Sequence, residues 1–126
     1  METEKIYTQH DENKEWTSNL LFFNDEIRIM EHRLEEIVSK NTSKEVLKQV
    51  EHFQNQLIIQ KDQIIRINHE INLNNDTICA EIKKNNTAVD HRKIGYHNVI
   101  RDNVESFEKI FSSLKTELNA FLSKWM

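Results

Sequence analysis

Apolar residues recur along most of the chain at alternating steps of four and three residues. The longest series lies in the middle of the sequence, where the polar residues Gln60 and Asn74 occupy two of the steps. Its apolar members are Val46, Val50, Phe53, Leu57, Ile64, Ile67, Ile71 and Ile78. This spacing keeps the side chains on one face of an α-helix. The middle segment is therefore predicted to form a single helix over residues 42–85, roughly 65 Å long.

Two further series with the same stepping flank the first. The one before it comprises Trp16, Leu20, Phe23, Ile27, Met30, Leu34 and Ile37. The one after it comprises His97, Ile100, Val104, Phe107, Phe111, Leu114, Leu118, Phe121 and Trp125. They predict helices over residues 8–40 and 87–126. A threonine followed three residues later by an acid resembles a capping box, and it stands near each predicted start: Thr8–Asp11, Thr42–Glu45 and Thr87–Asp90.

The turns between these helices are very short, so consecutive helices are expected to be antiparallel neighbours. The predicted fold is all-α: an elongated antiparallel bundle of three long helices with coiled-coil-like packing. Residues 1–7 lack periodicity and are expected to fray. Residues 8–126 are expected to form one domain, because the chain is too short for two comfortable cores.

Two local features oppose this interpretation. The run Asn74-Asn75-Asp76 favours a turn, and a break there would give four helices instead of three. Ile78 nevertheless keeps the register of Ile71, which favours one continuous helix. Gly95 is the second possible break, since glycine costs about 1 kcal/mol inside a helix.

Composition excludes several classes of function. The net charge is −4 and the basic residues are scattered, unlike the basic stripe of a nucleic-acid-binding protein. No apolar run approaches the roughly 20 residues that span a bilayer, and the acidic N-terminus lacks the apolar core of a secretory signal. The single cysteine, Cys79, fits a reducing compartment. We therefore expect a cytoplasmic protein without nucleic-acid or membrane partners.

The sequence predicts no enzyme, no cofactor and no metal site. One glycine cannot build a glycine-rich phosphate loop, and no nucleophile has an evident base beside it. The Glu-x-x-His pairs of di-iron bundles do not occur. Five of the six histidines lie outside the apolar series, which is typical of solvated surface.

His97 is the exception, because it occupies a position in the third series. Helix pairing brings it near a group of polar residues, and we predict one polar layer in the core formed by Gln9, Asn13, Asn74 and His97. Such a layer fixes helix register in coiled coils. The alternative is a pocket for a small ligand or metal, or a pH-sensitive contact.

Some apolar residues lie outside the core series. On the first two helices these candidate interface residues are Leu21, Phe22, Ile29, Ile58, Ile59, Ile65 and Leu73. They either widen the core or form a groove for another helix. We predict that Phe22, Ile29, Ile58 and Ile65 line one groove occupied by a second copy or an unknown partner helix. The predicted function is protein–protein contact, most simply homo-oligomerisation; the alternative is ligand or metal binding around His97.

Overall fold

The structure is a computed structural model that describes the backbone of residues 2–83 and 91–126 and the side chains of residues 7–80 and 97–126. Over these ranges the chain forms three helices and no strand: α1 (Glu2–Lys40), α2 (Lys44–Lys83) and α3 (His91–Trp125). The prediction of an all-α bundle of three long helices is confirmed. α2 alone has 40 residues, which makes the bundle about 60 Å long.

The helix starts differ from those predicted. α1 begins at Glu2, so the Thr8–Asp11 sequence lies inside the helix and its assignment as a cap is wrong. The prediction failed because threonine and aspartate favour helix starts but are also tolerated in helix interiors. Fraying of residues 1–7 stays a prediction. α2 begins at Lys44, where the Ser43 carbonyl accepts the Leu47 N–H at 3.0 Å. Thr87–Asp90 lies outside the described residues.

Neither possible break interrupts a helix. α2 continues through Asn74, Asn75 and Asp76, and α3 continues through Gly95, so the four-helix alternative is wrong. Asn74 and its core neighbours one turn on either side are buried. Tertiary packing therefore outweighs the local turn preference of the asparagines.

Contacts between side chains fix the helix directions. His10 of α1 contacts Asn75 of α2, whereas Glu31 contacts Lys61, so these two helices are antiparallel. α3 is parallel to α1, because the pairs Glu12–Arg101 and Glu26–Lys115 are both separated by 89 residues. These charged pairs show which side of α1 faces each neighbour.

The core follows the three predicted series. Trp16 to Ile37 on α1, Val46 to Ile78 on α2 and Ile100 to Phe121 on α3 supply its buried apolar residues, and Leu122 adds to them. Phe23 and Trp125 are partly buried against it. Across the described residues, no helix contains a segment both long enough and apolar enough to cross a membrane.

Candidate functional site

All four residues of the predicted polar layer are buried. Asn13, Asn74 and His97 are at most 2% exposed, and Gln9 is 8% exposed. Each of them occupies a step of the four-three series on its helix, so its side chain points into the core as an apolar residue would. The layer lies near the start of α1, where α2 and α3 pass beside it.

His97 is held by polar partners from both other helices. The Asn74 amide nitrogen lies 2.7 Å from His97 Nδ1. An amide nitrogen can only donate, so Nδ1 accepts and the ring proton resides on Nε2. That Nε2–H donates to Glu12 Oε1 at 3.3 Å. The ring of Trp16 stacks on the imidazole with centroids 4.9 Å apart. The geometry therefore selects a neutral imidazole in a single tautomer.

Glu12 is also bound by a guanidinium group. Arg101 donates from Nε to Oε2 at 3.1 Å and from Nη2 to Oε1 at 2.7 Å. Arg101 Nη1 donates to Asn98 Oδ1 at 2.8 Å. The bidentate contact fixes the carboxylate plane, which orients Oε1 toward His97. Glu12 thus joins α1 to α3 at the height of the polar layer.

The pKa values of His97 and Glu12 are both lowered, for different reasons. Burial lowers the pKa of His97, because desolvation disfavours the imidazolium, and the hydrogen bond to Glu12 only partly opposes this. Burial by itself would raise the pKa of Glu12. Hydrogen bonds from Arg101 and His97 outweigh that effect, so the pKa of Glu12 is lowered. Near neutral pH the cluster holds a carboxylate, a neutral imidazole and a guanidinium.

Sequence reasoning identified His97 and Asn74 but missed Glu12, Arg101 and Trp16 as their partners. Glu12 and Arg101 flank the core positions on α1 and α3. Opposite charges at such positions of two neighbouring helices are the usual sequence signal of an ion pair between the helices. Reading that signal needs the register between α1 and α3. No turn joins these two helices directly, so turn lengths alone do not give it.

Asn13 lacks the hydrogen bonds that its burial calls for. Neither Nδ2 nor Oδ1 has a hydrogen-bond partner among the residues that the structure describes. The residue borders a hollow of about 290 Å³ between α1 and α2. That hollow is also lined by Lys14, Thr17, Ile71, Asn72 and Asn75. A buried amide without partners costs about 1–3 kcal/mol, so a polar molecule beside it would be favoured.

The polar layer offers little for metal or acid–base chemistry. Both ring nitrogens of His97 are engaged, so no lone pair is free to coordinate a metal. Among the described side chains, no three or more His, Cys, Asp or Glu residues are grouped as a metal would require. The arrangement instead links three helices by directional hydrogen bonds.

All seven candidate interface residues are exposed, by between 48% and 66%, and they divide among three faces of the bundle. We call the first the α1–α2 face, and it carries Leu21, Ile58 and Ile65. The two isoleucines lie three residues before and four after Lys61, which reaches α1 at Glu31 with an N–O distance of 2.9 Å. Leu21 lies one turn after Thr17, which lines the hollow between α1 and α2.

The second face, the α1–α3 face, carries Phe22 and Ile29. These residues lie four before and three after Glu26, whose Oε1 is 2.8 Å from Lys115 Nζ on α3. α1 therefore stands between them and the row of Ile58 and Ile65. The prediction that the four residues line one groove is wrong, because the spacing of the residues indicates the helical row of each one but not which neighbouring helix faces that row.

The third face, the α2–α3 face, carries Ile59 and Leu73. On α3, exposed Ile110 borders the seam with α2, and exposed Val99 lies seven residues before Ser106, which borders it too. Three hollows of about 430, 450 and 420 Å³ follow one another along the seam. Gln49, Gln56 and Gln63 border them in turn on α2, and Ala120, Ser113 and Ser106 border them on α3. Both sets repeat every seven residues, so the hollows are spaced about 10.5 Å apart.

The hollows have a simple cause in the sequence. Serine and alanine at the rim of α3 are too short to cover the seam, so the aromatic core beneath is reached from outside. Phe53 and Phe121, with ring centroids 5.1 Å apart, line the first hollow together with Trp125. Small residues at seven-residue spacing beside the third apolar series are the signal that sequence reasoning passed over.

Comparison of the chain with family models, with curated proteins and with solved structures finds no match.

Proposed function

We propose that this chain is a non-enzymatic, coiled-coil-like bundle that acts through protein–protein contact in the cytoplasm, and that it associates with a second copy of itself. The observation that carries the proposal is the arrangement of its exposed apolar residues. Single exposed apolar side chains are ordinary on any protein surface. Here they recur along helical rows on all three faces, as in Phe22 with Ile29, Ile58 with Ile65 and Ile59 with Leu73, each about half exposed or more.

Rows of this kind favour a helical partner. Apolar side chains seven residues apart on one helix match the repeat of a second helix laid along it. A homo-oligomer is the simplest occupant, because every copy of the chain supplies such rows itself. The lone Cys79 is compatible with the proposed compartment, where thiols stay reduced.

The test is the mass of the purified chain by light scattering, measured from micromolar to several hundred micromolar. A mass that rises to a dimer or a higher oligomer supports the proposal. A monomer over the whole range overturns self-association. Retained helicity by circular dichroism accompanies each measurement, so that aggregation of unfolded chain is not counted as assembly.

A second candidate function is binding of a small polar ligand beside the polar layer. The unpartnered amide of Asn13 and the hollow that it borders favour this candidate. Native mass spectrometry and metal analysis of the purified protein test it. A co-purifying molecule or metal that is lost in an Asn13→Leu variant supports ligand binding. Identical spectra for the wild type and the variant count against it.

A further inference from the structure

We propose that the α2–α3 face is the surface on which two copies of this chain meet, packed antiparallel about a twofold axis. This inference rests on the proposed self-association and adds the face and the orientation of the copies. What singles out this face is its row of three hollows, which repeat every seven residues along the two helices.

The shape of the face is self-complementary. Its hollows need protruding apolar side chains to fill them, and the same face supplies them at Ile59 and Ile110, which are 48% and 56% exposed. A twofold interface brings the same patch together on both copies, so it needs projections and hollows on one surface. Such a contact closes as a dimer, because each copy uses its α2–α3 face against the same face of its partner.

The area suits a stable pair. The hollows extend along α2 from Gln49 to Glu70, which is about 32 Å of helix, and two helices make the face about 20 Å wide. The flat footprint is therefore about 640 Å². The relief of ridges and hollows raises the accessible area toward the ~800 Å² per partner of a standard specific interface.

Polar contacts also distinguish this seam from the others. The pairs Glu26–Lys115 and Glu31–Lys61 bridge the outer edges of the α1–α3 and α1–α2 seams at 2.8 and 2.9 Å. At the edge of the α2–α3 seam, Asn103 donates to Glu70 at 3.4 Å, a long and weak hydrogen bond. Covering this edge with a second copy therefore displaces little existing structure.

The charges along the face select the antiparallel orientation. The hollow nearest Trp125 has Lys48 and Lys124 as its charged lining residues, whereas the middle hollow has Lys109 and Glu117, which balance. The other end is lined by Arg66 and Glu70, which balance. A parallel pair would set two lysine-rich ends against each other, and like charges repel. An antiparallel pair sets each lysine-rich end against the balanced end of its partner.

The first test compares two matched double variants by light scattering. Ile59→Glu with Ile110→Glu places charge on the α2–α3 face. Ile58→Glu with Ile65→Glu places equal charge on the α1–α2 face, at residues of similar exposure. We expect the first variant to be a helical monomer and the second to remain a dimer. The opposite result overturns the assignment of the face while leaving self-association intact. A wild type that is monomeric throughout overturns both.

The second test does not depend on how well glutamate variants fold. Ser113 lines the middle hollow, near the middle of the face, so a twofold axis brings it close to its own copy. Its neighbour Ser112 lies one turn before Lys115 and therefore borders α1. In a Cys79→Ser background, Ser113→Cys should form a disulfide-linked dimer in oxidised glutathione, whereas Ser112→Cys should not. Equal crosslinking of both variants, or crosslinking of Ser112→Cys alone, overturns the proposal.

Discussion

The hydrogen bond between Asn74 and His97 provides a test of how the polar layer contributes to stability. We consider three variants: Asn74→Leu, His97→Leu and the two changes together, called the double leucine variant. Leucine has the same branched heavy-atom skeleton as asparagine and nearly the volume of histidine, and it suits a core position. The variants therefore change polarity with little change in packing, and the Glu12–Arg101 pair remains in all of them.

The magnitudes follow from burial. In Asn74→Leu, His97 Nδ1 loses its donor although the residue is 0% exposed, and an unpaired buried acceptor costs about 1–3 kcal/mol. In His97→Leu the Asn74 amide loses its acceptor at a similar cost. The double leucine variant leaves neither group behind, and replacing both partners of a buried pair by apolar groups is often neutral. The coupling between the two sites should therefore be at least about 1 kcal/mol.

The assay is urea denaturation followed by far-UV circular dichroism near neutral pH. One protein concentration is used throughout, because association contributes to apparent stability. A control cycle combines Asn74→Leu with Val50→Ala, which lies 24 residues away on α2 and should add within about 0.5 kcal/mol. If the costs of Asn74→Leu and His97→Leu also simply add in the double leucine variant, the hydrogen bond between them does not couple the helices as described.

Three further predictions concern the core and the charged cluster. Phe111→Ala should cost about 3–5 kcal/mol through lost burial and a residual cavity, whereas Glu35→Ala on the surface should stay within about 0.5 kcal/mol; coincident thermal melts would contradict the packing of α3. Because burial lowers the folded-state pKa of His97, the unfolded chain takes up that proton first. Stability should fall as the pH drops below the ordinary imidazole pKa of about 6.5, and the double leucine variant should show a shallower fall in urea midpoints. Arg101→Met should raise the pKa of Glu12, because the guanidinium contacts lower it in the wild type; an unchanged pKa in a carboxylate NMR titration would show that these contacts are not formed in solution.

The number, length and inward rows of the helices were readable from the sequence, since each is a local property. The four-three stepping from Trp16 to Ile37 reports one face of one helix, whatever surrounds it. Helix starts were less readable. The same Thr8–Asp11 sequence suits a cap and a helix interior, and what decides between them lies outside those four residues.

The register between two helices that no turn joins directly could not be predicted from the sequence. Asn74 and His97 lie on α2 and α3, which follow each other in the chain, and their proximity was predicted. Glu12 and Arg101 lie on α1 and α3, whose register depends on packing against α2. The groove assembled from Phe22, Ile29, Ile58 and Ile65 was wrong for a related reason. Phe22 and Ile29 flank Glu26, which contacts α3, and the turn between α1 and α2 does not show on which side of α1 the third helix packs. A helical row is a property of sequence, but the neighbour it faces is a property of the assembled bundle.

The polar layer resolves an ambiguity that the apolar series leave open. Because the core positions repeat every seven residues, sliding α3 by one repeat, about 10.5 Å, would leave nearly every apolar side chain matched. The same slip would carry His97 away from Asn74 and leave both groups buried without partners, at about 1–3 kcal/mol each. It would also separate Arg101 from Glu12 and Lys115 from Glu26. The small residues that form the hollows repeat every seven residues too, so shape alone does not choose among registers. The directional bonds of His97 select one of them.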